Sequence, residues 1–125
     1  MKSKTDLVKS VKAPKSLTSH LEFEPCNEVY LIGRVSSTPV EKVMPSGDKV
    51  VEFRIVIARA KSRGSKQEVD TLDIAAWSAK ARKSALSLTI ESWVELDGAV
   101  RRRFWQAPTG LASRWQVEVS ELRRL

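Results

Sequence analysis

Alternation of apolar and polar residues with a period of two runs through most of the chain and predicts β-strands. Val29–Val35 is a β-branched and aromatic run, and Gly33 inside it predicts a bulge or sharp bend of the kind barrel strands need. The run breaks at 36–39, resumes briefly over 40–44, and meets a turn at 45–48, where proline and glycine are both present.

The clearest alternation lies on either side of a polar, basic loop at 61–68. Before the loop, one strand face is wholly apolar and consists of Val51, Phe53, Ile55 and Ile57. After the loop, over 69–77, we predict that the inward side chains are Leu72, Ile74 and Ala76. Trp77 then falls on the opposite face, which does not have the composition of a core.

The period changes after Trp77. Ala81, Ala85 and Leu88 are spaced as on one face of a helix, and Ser78 is a suitable N-cap. The sequence therefore predicts one short helix over Ala79–Leu88.

Strand character returns at Ser92 and continues to the end of the domain. In the fourth strand, the predicted inward residues are Val94, Leu96 and Val100, and the residues of opposite parity are Trp93, Glu95, Asp97, Arg101, Arg103 and Trp105. In the last strand, Trp115 shares the inward parity of Val117 and Val119, which predicts a core position for this indole. Trp93 is expected at a subunit contact or partly exposed.

The order β-β-β-α-β-β indicates an all-β domain with one short helix. One helix between the third and fourth of five strands is the connectivity of a five-stranded Greek-key OB-fold barrel, with a small α+β sandwich as the competing architecture. We place this domain at 27–125. Residues 1–26, with scattered lysines and few large apolar residues, are predicted to be a flexible basic arm, either a solvated leader or a source of non-specific phosphate contacts.

Charge narrows the function. The 125 residues include 22 Lys and Arg against 15 Asp and Glu, a net charge of +7, which favours DNA, RNA or an acidic membrane surface as partner. No apolar stretch approaches the ~18 residues of a membrane span, and no secretory signal is apparent. A single Cys26 and a single His20 leave no disulfide framework, metal set or Ser/His/Asp triad. We therefore expect a cytoplasmic protein that is not an enzyme and has no metal site.

Two features stand out as candidate chemistry. Arg101, Arg103 and Trp105 share one strand face, which combines phosphate contacts with a platform for a base. Trp77 ends a strand on the outer parity and needs a partner there. The alternatives are an exposed arginine ladder with a half-buried Trp105, and a Trp77 packed under the helix. Further basic residues lie in and before the adjacent loop: Arg59, Lys61, Arg63 and Lys66.

Four segments in register, NEVYLIGRV, PSGDKVVEFRIVIAR, VDTLDIAAW and LDGAVRRRFW, resemble the bacterial single-stranded DNA-binding protein family, and most of all its short actinobacterial members. The resemblance runs from Asn27 to about Val119. It implies an OB fold that binds single-stranded DNA with little sequence preference and protects it in replication, recombination or repair. It also implies the absence of a cofactor, a nucleoid-associated protein and a homo-oligomer, with a tetramer favoured over a dimer.

The resemblance also assigns site residues. Trp77 and Trp105 match aromatic positions that stack on bases, and the matching polar or basic surface positions are Arg54, Arg59, Arg101 and Arg103. Further stacking tryptophans of well-known members fall at Lys61 and Thr71 here. The last residues, ELRRL, are basic, so we expect no acidic C-terminal tip for recruiting repair enzymes. An RNA-binding or primosome-type OB protein and a protein–protein adaptor remain open as alternatives.

Overall fold

The computed structural model describes residues 22–60 and 68–125. Its elements are one helix and six strands, in the order β1 (Val29–Val35), β2 (Val40–Val43), β3 (Lys49–Ala58), β4 (Val69–Ala76), α1 (Ala79–Leu86), β5 (Trp93–Ala107) and β6 (Gly110–Arg124). The all-β prediction with one short helix is confirmed. The run that resumes after Pro39 forms its own strand, so the sheet has six strands where five were expected.

The sheet closes on itself through β1. The strand order is β1-β5-β6-β4-β3-β2, and β1 pairs a second time, with β3, at Arg34 and Val35. All neighbours are antiparallel except β4 and β6, which pair in parallel at Ile74↔Val117 and Ala75↔Glu118. The closed sheet surrounds a core whose largest fully buried side chains are Val35, Val50, Val51, Ile55, Ile74, Val94 and Leu96.

Two glycines permit the close backbone approaches that closure requires. At Gly33, where β1 turns from β5 towards β3, a Cβ atom would lie 2.7 Å from the carbonyl oxygen of Val56. At Gly98, a Cβ atom would lie 2.3 Å from the carbonyl oxygen of Glu118, next to a shift of register between β5 and β6. The predicted bend at Gly33 therefore coincides with the point where β1 changes partner, while the irregular pairing itself occurs at Gly98.

The helix begins as predicted. The Ser78 hydroxyl accepts a hydrogen bond from the Ala81 amide at 3.1 Å, which caps the first turn. The helix ends at Leu86, two residues before the predicted end, but Leu88 is still buried together with Ala81 and Ala85. The predicted inward face of this segment is therefore correct.

Trp115 is not a core residue: 60% of its surface is exposed. Its parity matches Val117 and Val119, which are buried, but the barrel no longer covers that side of the strand at its position. β1 pairs with β5 only as far as Gly98, and β4 pairs with β6 only at positions 117 and 118. The remainder of the hairpin, residues 99–107 and 110–116, forms a two-stranded projection that we call the ribbon.

The same geometry exposes Val100 to 36%, although it too has the inward parity. Trp93, at the opposite end of β5, is 51% exposed in the single chain, which agrees with the prediction of a partly exposed indole. Within residues 22–60 and 68–125, no helix has the length and hydropathy of a membrane span, and no cluster of His, Cys, Asp or Glu is arranged to hold a metal ion.

The close contact at Gly98 yields a stability prediction. Gly98→Ala forces a methyl group against the backbone of β6, so we expect the free energy of unfolding to fall by about 3 kcal/mol, measured by urea denaturation. Gly47→Ala is the control, because Gly47 has a φ of 91° but a methyl group there would meet no heavy atom within 4 Å. It should lose only about 1 kcal/mol through backbone strain, and equal losses would contradict the contact explanation.

Candidate nucleic-acid interface

Two adjoining clefts lie on the outer face of the sheet, across β2, β3, β4, β6 and the ribbon. They share four lining residues, Lys42, Glu52, Arg114 and Gln116. The first cleft continues towards Ser37, Arg54 and Asp73, and the second continues towards Met44, Arg103 and Trp105. Because they share a floor, we treat them as one continuous groove.

A carboxylate at the centre of the groove holds three of its neighbours. Glu52 lies 2.7 Å from the Lys42 ammonium and 3.7 Å from the Arg103 guanidinium, and it accepts a 2.7 Å hydrogen bond from Gln116 Nε2. Burial by itself raises the pKa of Glu52, but the hydrogen bonds from Lys42 and Gln116 outweigh it, so the pKa lies below its ordinary value. Glu52 is therefore ionised at neutral pH and orients these side chains.

A second carboxylate, that of Asp73, orients two arginines in the first cleft of the groove. Arg54 Nε donates to Asp73 at 2.9 Å, and Arg114 lies 3.8 Å from the other oxygen of the same carboxylate. The Arg54 amide also donates to the Ser37 hydroxyl at 2.8 Å. The groove thus carries four cationic side chains against two carboxylates, and each of the four is already directed by a partner.

Both predicted platform residues lie on this outer face, and each is accompanied by an arginine. Trp105 is 44% exposed at the rim of the groove, with the Arg114 guanidinium 6.0 Å from its ring. Trp77 follows β4 and is half-buried, with the Arg103 guanidinium 5.1 Å from its ring. Arg103 therefore links Trp77 to the Glu52 carboxylate, which gives this outer-parity indole a partner.

The other predicted cations differ in how strongly they are engaged. Arg101 is exposed, pairs across the ribbon with Gln116, and has no carboxylate within 4.0 Å among the described residues. Arg59, by contrast, contacts Glu68 at 2.9 Å and Asp70 at 2.7 Å, and the hydrogen bond to Asp70 raises the pKa of Arg59. The predicted loop residues Lys61, Arg63 and Lys66 lie outside the described residues.

A family model described as the single-strand binding protein family matches residues 26–125. The chain belongs to this family. The chain is similar to the single-stranded DNA-binding protein of Clostridium tetani, with 29% identity over 94 residues, which cover 74% of this chain and 64% of that protein. The corresponding protein of Thermotoga maritima is 31% identical over 87 residues, covering 67% of this chain and 62% of the relative. The chain thus spans less than two thirds of either relative.

A solved structure supports the fold assignment of the single-strand binding family. The Plasmodium falciparum SSB complex with ssDNA superimposes with a TM-score of 0.69 at 21% identity, covering 84% of this chain and 99% of that one. At this identity the match concerns the fold alone, and it agrees with the OB-type closed sheet that the order of elements predicted. The likeness to short actinobacterial members stays a prediction.

Sequence reasoning missed four residues of the groove in this member of the single-strand binding family: Lys42, Glu52, Arg114 and Gln116. The outer parity of Gln116 and Arg114 was readable from the alternation in the last strand. Nothing in the sequence indicated that β2 and β6 approach each other across β3 and β4. Gln116 is 5% exposed, and its buried Oε1 has no hydrogen-bond partner among the described residues.

The lowered pKa of Glu52 predicts a pH effect on stability. Because the folded pKa lies below the ordinary value of 4.5, the ionised carboxylate stabilises the fold at pH 7, and this contribution is lost as the pH falls through the folded value. Glu52→Gln should lower the unfolding temperature at neutral pH and reduce its further decline below about pH 4.5. Thermal unfolding followed from neutral to acidic pH measures both effects.

Glu118→Gln is the control for this experiment, because Glu118 lies on the same outer face without an ion pair among the described residues. It should keep the decline of the unmodified protein. If Glu52→Gln also keeps the full acid decline, the ion pairs at Glu52 do not stabilise the fold.

Proposed function

We propose that this domain binds single-stranded DNA with little sequence preference and protects it in replication, recombination or repair. The observation that carries the proposal is a half-exposed Trp105 at the rim of a groove with four cationic side chains. Rings provide sequence-tolerant stacking and cations neutralise the backbone, the combination that single-strand binding requires. Family membership and the names of both relatives support the same function.

Stacking is assigned to Trp105 first and Trp77 second. Trp105 has exposed ring surface that a base can cover, while Arg114 lies near the ring. Trp77 is half-buried and its ring is approached by Arg103, so a base reaches it by displacing this guanidinium or by stacking on it. Every base offers a flat π-face, which explains why such contacts discriminate little between sequences.

Phosphate contacts are assigned to Arg54, Arg101 and Arg103, with Lys42 and Arg114 added from the geometry. Arg101 has no carboxylate partner among the described residues, so it can meet a phosphate without breaking an ion pair. Arg54 is paired with Asp73 and Arg103 with Glu52, so these two arginines loosen an ion pair when they contact a phosphate of the DNA strand. Arg59 is expected to contribute less than Arg101 because two carboxylates already hold it, and Lys61, Arg63 and Lys66 are included on sequence grounds alone.

Four further statements belong to the proposal. The domain acts by binding rather than catalysis, and it assembles as a homo-oligomer, with a tetramer favoured over a dimer. It works in the cytoplasm on the nucleoid. Residues 1–26 form a basic arm preceding the domain at 27–125. Family membership supports the first three. The concentration of lysines among small and polar residues supports the last.

The stacking assignment predicts that Trp105→Ala weakens oligo(dT) binding by about ten- to one-hundred-fold, because base–aromatic stacking contributes about 1–3 kcal/mol. Fluorescence titration gives the affinity, and thermal unfolding should show little change because the ring is half-exposed at the rim of the groove and outside the core. Trp93→Ala is the matched control: this indole is 51% exposed, but it lies at the opposite end of β5, about 40 Å away along the strand. Equal losses in both variants, or none in Trp105→Ala, would refute the stacking assignment.

The electrostatic assignment predicts a salt dependence. The logarithm of the affinity should fall with the logarithm of the salt concentration at about −0.7 per neutralised phosphate, and Arg101→Gln should reduce the steepness by about that amount. Lys83→Gln removes the same charge from α1, at a residue that lines neither part of the groove, and should leave the slope unchanged. A slope that is insensitive to Arg101 would remove this residue from the interface.

Titration of the same protein with oligo(dT), oligo(U) and duplex DNA separates the remaining functions. Tight binding of oligo(dT) with quenching of tryptophan fluorescence supports the proposal. Preference for oligo(U) would indicate an RNA-binding protein, since sensing the 2′-hydroxyl depends on contacts beyond stacking and charge. Binding to none of them would favour the alternative function of a protein–protein adaptor.

A further inference from the structure

The ribbon has a second face, opposite the groove, that the proposed site does not use. It alternates with the face of Arg101, Arg103 and Trp105, and its members are paired across the two strands as Arg102↔Trp115, Phe104↔Ser113 and Gln106↔Leu111. Directly opposed residues of an antiparallel pair lie on the same side of the sheet. We call this side the Arg102 face.

Arg102 occupies the centre of this face between two aromatic rings. Its guanidinium carbon is 5.2 Å from the ring centre of Phe104 and 5.4 Å from that of Trp115. Its Nη2 and Nε donate to the Ser113 hydroxyl at 2.9 Å and 3.2 Å. The cation is therefore held in a defined position on a strand scaffold instead of extending freely into solvent.

The two rings around it, and the neighbouring apolar side chain of Leu111, are uncovered. Phe104 is 59% exposed, Trp115 60% and Leu111 72%, and beside Trp115 an open cleft continues towards Leu72 and Val100. Large aromatic side chains exposed together on one face mark a binding surface more often than scattered single residues do.

Charge indicates what this face binds. No carboxylate lies within 4.0 Å of the Arg102 guanidinium among the described residues. The acid that lines the adjoining cleft is Asp73, which is already paired with Arg54 and Arg114. The Arg102 face therefore presents an uncompensated positive charge between two flat rings, which is complementary to a phosphate flanked by bases.

We infer that the Arg102 face is a second contact surface for the same single strand, which passes round the ribbon from the groove. This inference rests on the proposed function and extends it. The ribbon is about 30 Å long and two strands wide. A DNA strand that leaves Trp105 therefore crosses only an unpaired strand edge of the ribbon to reach the Arg102 face. Both faces then offer the same combination of arginine and aromatic ring to successive nucleotides.

The test compares two oligonucleotide lengths. We take oligo(dT) of about 8 nucleotides, short enough to be held by the groove, and of about 30 nucleotides, longer than one OB-fold site. The double variant Phe104→Ala/Trp115→Ala should weaken binding of the longer strand by about tenfold or more and leave the shorter one within about twofold. Both rings are largely exposed, and thermal unfolding should confirm that the variant remains folded.

Two control variants separate stacking from general apolar contact. Leu111→Ala removes an exposed apolar side chain from the same face but no ring, and it should leave both affinities unchanged. Trp115→Phe keeps a ring and should retain most of the affinity that Trp115→Ala loses. Trp105→Ala, measured in parallel, should weaken both lengths and so reports on the groove independently.

Several results would overturn the inference. Unchanged affinity of the double variant for the longer strand, with Trp105→Ala still impaired, would refute the second surface and leave the proposed function intact. An equal loss for both lengths would make these rings part of the groove contact. A smaller assembly by analytical ultracentrifugation, in the double variant or in Leu111→Ala, would identify the face as a contact between copies of the chain. Absence of oligo(dT) binding by the unmodified protein would refute the proposed function itself.

Discussion

Closure of the sheet by β1 is the constraint on which the rest of the structure depends. This strand pairs with β5 over most of its length and then with β3 at Arg34 and Val35. The change of partner is possible only because Gly33 lets the backbone approach that of Val56 more closely than a side chain allows. Closure encloses the apolar faces of β3 and β4, and those of β5 and β6 within the barrel, in one core. It also leaves the outer faces of β3, β4 and β6 as a continuous surface free for binding.

On that surface, two carboxylates organise the cations. Glu52 and Asp73 reduce the positive charge of the groove, yet they also hold Lys42, Arg54 and Arg114 in place. A cation that is already positioned loses less conformational freedom when it meets a phosphate. The two carboxylates therefore weaken the Coulomb attraction between the groove and a phosphate, but they also reduce the entropy that the cations lose on binding. Arg101 lies outside this arrangement and carries its charge without a carboxylate partner among the described residues.

In the ribbon, the parity of a residue along its strand no longer determines whether its side chain is buried. Inside the barrel, the inward residues of β5 and β6 are buried, as Val94 and Val117 are. Beyond Gly98, the same parity continues into open solvent, because neither β1 nor β4 pairs with the projecting strands. Two faces of a thin hairpin are then exposed, and each carries arginine beside an aromatic ring. A projection of this kind offers far more contact surface than a barrel wall of the same sequence length.

Alternation, turn residues and the Ser78 cap were enough to predict five of the six strands, the helix and the outer placement of Arg103 and Trp105, because these depend on local backbone geometry. They did not predict that Trp115 is exposed, since a period of two defines the side of a strand and not whether another element covers that side. Nor did they predict the groove floor, where Glu52 meets Lys42 and Gln116 from different strands. The contact with Gln116 exists only after the sheet brings β6 close to β3, because the two residues are 64 positions apart in the chain, so the tertiary structure alone decided it.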